Sequence, residues 1–109
     1  MRTVHRKLVR NGIPERLRAT GVAFEARPAD RGEMNRLLLA KLHEEADELA
    51  SASSPTQVRD ELADILEVVL SIARLRGFSD RDIEAAMLEK RADRGGFDAG
   101  LVLEWTDEP

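Results

Sequence analysis

Apolar residues recur at helical spacing through the middle of this chain, in two long runs. The first run consists of Met34, Leu37, Leu38, Leu42 and Leu49, whose main intervals are three, four and seven residues. The second run has alternating intervals of four and three residues, and its positions are Val58, Leu62, Ile65, Val69 and Ile72. Residues so spaced share one face of an α-helix, so each run predicts an amphipathic helix.

Residues typical of helix ends bracket both runs. Asp30 followed by Glu33 has the form of a capping pair before the first helix, which should extend to about residue 52. Ser54 with Gln57 three positions later repeats this signature before the second helix. Gly77 should end the second helix. Two long helices joined by a short turn are expected to pack as an antiparallel hairpin.

Two shorter helices are also predicted, one on each side of the hairpin. Pro14 at a first helical position and Gly21 at a stop position indicate a helix over residues 15–20. Ser79 opens a further helix, which should end before the glycine pair that begins at Gly95. We find no internal repeat or linker, and therefore expect a single domain over residues 1–109.

Two segments near the chain ends alternate enough to favour short strands. They are Val22–Arg27 and Leu101–Trp105, which could pair as a small sheet. The expected fold is therefore all-α, a helical hairpin plus a third helix forming a bundle, with short β segments near both ends.

The apolar face of the second long helix is wider than one partner helix can cover. Leu66, Leu70 and Ala73 extend this face beyond the main stripe. More helix packing is thus implied than one chain supplies. We predict a homodimer whose bundle is completed across the interface.

Composition excludes several classes of protein. The 109 residues include no cysteine, so disulfides, thiolate catalysis and a cysteine zinc site are excluded. No apolar run could span a bilayer, and the charged N-terminus lacks the apolar core of a signal peptide. A net charge of -4 argues against nucleic acid as the main partner. We expect a cytoplasmic protein without a membrane or nucleic-acid partner.

Acidic residues interrupt both apolar faces. Glu45 falls inside the stripe of the first long helix and Glu48 at its edge, while Glu61 borders the second stripe with Asp64 one turn further on. An ionised group buried without a partner is strongly destabilising. In a hairpin the two pairs lie near the same turn, so Glu45, Glu48, Glu61 and Asp64 predict a cage for a divalent cation.

Magnesium is the cation that this donor set favours, with manganese as a substitute, because Mg²⁺ takes carboxylate oxygens and shares its coordination with phosphates. Glu44, about 100° around the helix from Glu45, is placed to accept a proton at the rim of the site. An acidic cluster on a helix is more often a solvated surface, and a charged oligomer interface is a further alternative.

The acidic pattern resembles the signature of a known superfamily. Glu44, Glu45 and Glu48, followed by Glu61 and Asp64, look like the motifs of MazG-like all-α nucleoside triphosphate pyrophosphohydrolases, which include phosphoribosyl-ATP pyrophosphohydrolase. Segments outside this pattern are similar to the N-terminal and C-terminal motifs of a small house-cleaning branch, and they are Lys7–Pro14 and Lys90–Phe97. Asn11 and Gly12 depart from that branch, which has an acid and a base there.

The resemblance implies Mg²⁺-dependent hydrolysis of a nucleoside triphosphate to the monophosphate and pyrophosphate, in the removal of noncanonical or surplus nucleotides. It also implies that the four caged acids are metal ligands. A triphosphate needs further cations. The candidate substrate-binding residues form an N-terminal and a C-terminal cluster, namely Lys7, Arg10, Lys90, Arg91 and Arg94. The alternatives are phosphoribosyl-ATP pyrophosphohydrolase itself, against which the N-terminal motif argues, and a non-catalytic acidic helical interaction module.

Overall fold

The fold is all-α. A computed structural model describes residues 1–109 and contains four helices and no β-strand. The helices are α1 (Ile13–Ala19), α2 (Arg31–Ser51), α3 (Pro55–Leu75) and α4 (Asp80–Arg94). None of them combines the length and the hydrophobicity needed to cross a membrane. The predicted all-α class is confirmed.

Side-chain caps set the beginnings of the three long helices. Asp30 accepts a hydrogen bond from the backbone N–H of Glu33 at 2.8 Å and so begins α2. Ser54 and Gln57 form a reciprocal capping box at the start of α3, and a second box begins α4. These caps satisfy N–H groups that have no partner within the helix, which is why the predicted and observed boundaries agree closely.

Helices α2 and α3 form the antiparallel hairpin, and residues 52–54 connect them. Leu38 of α2 with Val68 and Ala73 of α3 are the buried apolar residues, and Glu45 is the one buried charged residue. Helix α4 packs against α3 alone. Arg76 ties the far end of the hairpin together by donating to Asn35 Oδ1 at 2.6 Å. The core of the single chain is therefore thin.

Residues 1–12 contain no helix or strand, and we call them the N-terminal strap. Leu8 is its one half-buried residue. Three long-range ion pairs attach the strap to the hairpin, one from Lys7 to Glu44 of α2 and two from Arg10 to Asp64 and Glu67 of α3. The strap thus bridges both helices on the acidic side of the hairpin.

The predicted short strands are wrong. Neither the segment 22–27 nor the segment 101–105 forms a strand, and no backbone hydrogen bond joins them. Both are exposed, with Val22 52% and Trp105 74% accessible. A two-stranded ribbon is marginally stable without a third strand or a helix packed on its face, and this chain provides no such layer. The alternation of apolar and polar residues was therefore not sufficient to predict a strand.

Candidate metal centre

Three of the four predicted cage residues converge in the structure. Glu45 extends from α2, and Glu61 and Asp64 extend from α3 across the hairpin interface. One carboxylate oxygen from each lies within 4.8 Å of those of the other two. The i,i+3 spacing of Glu61 and Asp64 puts both on one helical face, and the short connection sets the register that brings Glu45 opposite them.

Burial makes this cluster energetically demanding. Glu45 is 6% accessible, whereas Glu61 and Asp64 are half-buried. Glu45 Oε2 and Glu61 Oε2 are both buried and without any hydrogen-bond partner. The nearest cation to Glu45 is Lys41, whose Nζ lies 3.9 Å from the other carboxylate oxygen. Buried carboxylate oxygens are normally hydrogen-bonded, so two unpartnered ones are suited to binding a cation.

The electrostatic consequence appears at Glu45. Loss of hydrating water, the adjacent Glu61 carboxyl and the negative charges of Glu48 and Asp64 together raise the pKa of Glu45 from 4.5 to about 7. Each of these effects disfavours the ionised form of Glu45. A divalent cation among the same oxygens would reverse this balance, since it favours ionised carboxylates.

The other two predicted acids lie around the cluster. Glu48 is exposed and does not join the three converging carboxylates, although its charge contributes to the raised pKa of Glu45. Glu44 is half-buried and paired with two cations, at 3.7 Å to Lys7 and 4.0 Å to Lys41. Its carboxylate therefore lies at the rim.

Basic residues from the strap border the cluster. Arg10 Nη2 donates to Asp64 Oδ1 at 2.6 Å, and Arg10 Nη1 lies 4.0 Å from Glu67. Sequence reasoning missed Glu67, which continues the three-residue spacing of Glu61 and Asp64 by one more step. That repeated spacing was the available signal, since residues three apart line one helical face.

The predicted C-terminal cations do not join this site within one chain. Lys90, Arg91 and Arg94 are exposed on the last turns of α4. The one ion pair among them joins Arg94 to its neighbour Asp93 at 3.6 Å. No hydrogen bond or ion pair links these residues to α2 or to the acidic residues of α3.

The donor set fits a divalent cation of the magnesium type. All three converging groups offer hard carboxylate oxygens, which Mg²⁺ and Mn²⁺ prefer, and no histidine or cysteine joins them. Two buried oxygens are without partners, and the pKa of the Glu45 carboxyl is raised by its burial and by its acidic neighbours. Fold and site together define a helical hairpin carrying an acidic centre between its two helices.

Comparison with protein families gives this class a name. The signature of the MazG nucleotide pyrophosphohydrolase domain matches residues 33–96, which include most of α2 and all of α3 and α4. The chain belongs to the MazG nucleotide pyrophosphohydrolase domain family. No curated protein and no solved structure matched the chain. The strap and α1 lie outside the matched region.

Proposed function

We propose that this protein is a Mg²⁺-dependent nucleoside triphosphate pyrophosphohydrolase that releases a monophosphate and pyrophosphate and removes noncanonical or surplus nucleotides. The observation that carries the proposal is the buried acidic cluster with its two unpartnered oxygens, on the hairpin that the family signature covers. Acidic residues on a solvated surface have ordinary pKa values, whereas burial and its neighbours raise the pKa of Glu45.

In this proposal Glu45, Glu61 and Asp64 hold the cation, and Glu48 completes the set from the exposed edge. When bound, the cation neutralises phosphate charge and polarises a phosphoryl oxygen. Glu44 orients a water molecule and accepts its proton as the water attacks one of the two phosphorus atoms of the α–β phosphoanhydride bond, which breaks to give the monophosphate and pyrophosphate. Its place at the rim, beside the cluster but outside it, suits this role.

The proposed phosphate ligands come from two parts of the chain. Lys7 and Arg10 already lie beside the acids and carry the charge that a triphosphate needs. Lys90, Arg91 and Arg94 remain a proposal from the sequence, since no contact within one chain brings them to the centre.

Surface area supports the proposed homodimer. The chain exposes 9760 Å², whereas a monomer of its mass should expose about 6,100 Å². Leu62 and Leu66 on α3 are 51% and 57% accessible and lie on the apolar face of the hairpin helix. Obligate homodimers bury about 2,000 to 5,000 Å² in total, which is about 1,000 to 2,500 Å² per chain, so pairing through α3 would remove between about a quarter and two-thirds of this excess.

A product assay tests the proposal. Purified protein is incubated with canonical and modified nucleoside triphosphates and with phosphoribosyl-ATP, with Mg²⁺ or with EDTA, and phosphorus NMR resolves the products. We expect pyrophosphate and a monophosphate in the samples with Mg²⁺ and no products in the samples with EDTA. Orthophosphate with a diphosphate would contradict the choice of bond, and turnover confined to phosphoribosyl-ATP would contradict the nucleotide-removal role. Absence of turnover throughout would favour a helical interaction module.

A further inference from the structure

The shortest contact of the N-terminal strap falls on the acidic cluster itself. Arg10 Nη2 lies 2.6 Å from Asp64 Oδ1, and the two residues are 54 positions apart in sequence. Asp64 is one of the three carboxylates that converge across the hairpin. Arg10 lies outside the region that the family signature covers. Arg10, a cationic residue outside the matched region, is therefore paired with Asp64, a proposed metal ligand.

We propose that Arg10 is the resident cation of the metal-free centre, and that it exchanges Asp64 for the phosphates of the substrate when a divalent cation binds. Arg10 thus links metal binding to substrate binding. This inference rests on the proposed function. It assigns to one side chain two successive partners, a carboxylate first and a phosphate afterwards.

Charge repulsion supports the first half of the exchange. A divalent cation held by Asp64 would lie within a few ångströms of the guanidinium, and two cations at that separation repel each other strongly in a partly buried site. Asp64 Oδ1 already accepts from Arg10, so that oxygen offers less charge to a metal ion. Release of the Arg10 to Asp64 contact is therefore expected on metal binding.

The surroundings of Arg10 allow such a movement. Its side chain is 57% accessible, so most of its surface is free of packing against the protein. Its backbone stays nearby, because Lys7 pairs with Glu44 at 3.7 Å and Leu8 is half-buried against the protein. A released guanidinium would therefore remain over the centre, where its paired N–H groups match phosphate oxygens.

The exchange predicts effects of opposite sign for one substitution. In Arg10→Gln the metal ion no longer competes with a resident cation, so the affinity for Mn²⁺ alone should rise about fivefold, which corresponds to one partly exposed ion pair. The affinity for inorganic pyrophosphate with saturating Mg²⁺ should fall about tenfold or more, because charge-assisted hydrogen bonds are lost. A residue with a purely structural role would weaken both.

The experiment compares four forms of the full chain. Mn²⁺ binding is followed by the loss of the free-ion signal in electron paramagnetic resonance, and pyrophosphate binding by calorimetry. Arg59→Gln removes the same charge from an exposed residue of α3 that pairs with its neighbour Asp60, and it should change neither affinity by more than about twofold. Arg10→Lys keeps the charge but loses the paired donors, so it should leave Mn²⁺ affinity near that of wild type and weaken pyrophosphate binding.

The outcomes separate this inference from the proposed function. If wild type binds Mn²⁺ and Arg10→Gln shows unchanged or weaker Mn²⁺ affinity, the exchange is wrong while the metal centre stands. Unchanged pyrophosphate affinity in Arg10→Gln would equally overturn the exchange. If wild type itself binds no divalent cation, the proposed metal centre is wrong, and the exchange that depends on it is wrong as well. Circular dichroism of each variant identifies any loss of fold, in which case Arg10→Lys alone decides.

Discussion

Replacing Glu45 by Gln tests the central electrostatic argument directly. Glutamine keeps the shape of the side chain and can donate a hydrogen bond to a neighbouring carboxylate, but it cannot ionise. We therefore expect the metal-free variant to be more stable than wild type at pH 8. Loss of the buried charge removes its desolvation cost and relieves repulsion from Glu48, Asp64 and Glu61.

The pH dependence follows from the raised pKa of Glu45. Its pKa is about 7 in the folded protein and 4.5 without the perturbing surroundings. Between these values the folded state binds more protons than the unfolded state, so the contribution of Glu45 to stability is fully present below pH 4.5 and is lost as the pH rises through 7. The difference corresponds to roughly 3 kcal/mol.

Urea denaturation in EDTA, at a fixed protein concentration and from pH 4.5 to pH 8.5, measures this effect. We expect wild type to lose stability relative to Glu45→Gln as the pH rises, with the two converging near the acidic end. Asp47→Asn is the matched control, since Asp47 is exposed on the same helix and forms no ion pair, and its profile should follow wild type. A difference between Glu45→Gln and wild type that stays constant across the whole pH range would refute the reasoning.

Three further substitutions test the base, the dimer and the helix cap. Glu44→Gln should lower kcat by about a hundredfold or more with a smaller change in Mn²⁺ affinity, as measured by single-substrate kinetics and metal titration, whereas equal loss of both would make it a ligand. Leu66→Asp should convert a dimer to a monomer in light scattering after gel filtration, and an unchanged mass would move the interface elsewhere. Ser54→Ala should reduce stability to urea by about 1 kcal/mol because the capping box of α3 is lost, and an unchanged midpoint would show that this cap contributes little.

Helix positions were predictable because the signals that set them are local. Ser54 and Gln57 are three residues apart and form their hydrogen bonds within one turn. The strands predicted at residues 22–27 and 101–105 needed a partner far along the chain, and sequence alternation gives no information on whether that partner is in reach. The error therefore lies in tertiary pairing.

The acidic cluster could be predicted from the sequence, but its contact with the strap could not. Glu45 on an apolar face was an inconsistency visible in the sequence, and a hairpin with a short turn left few registers, so its approach to Glu61 and Asp64 could be anticipated. The pairing of Arg10 with Asp64 could not, because it joins segments far apart in sequence and depends on how the strap crosses the hairpin. Long-range side-chain pairs of this kind follow from tertiary packing.

The acidic centre reduces the stability that the small core of the hairpin can provide. Glu45 is as buried as Leu38 on the same helix, so a charged group occupies a place where a leucine would stabilise the hairpin. A cation that binds the folded state and not the unfolded chain raises stability by an amount that grows with its concentration. Metal binding at this centre would therefore contribute to folding as well as to chemistry. The pair between Arg10 and Asp64 offsets part of the repulsion among the acidic residues.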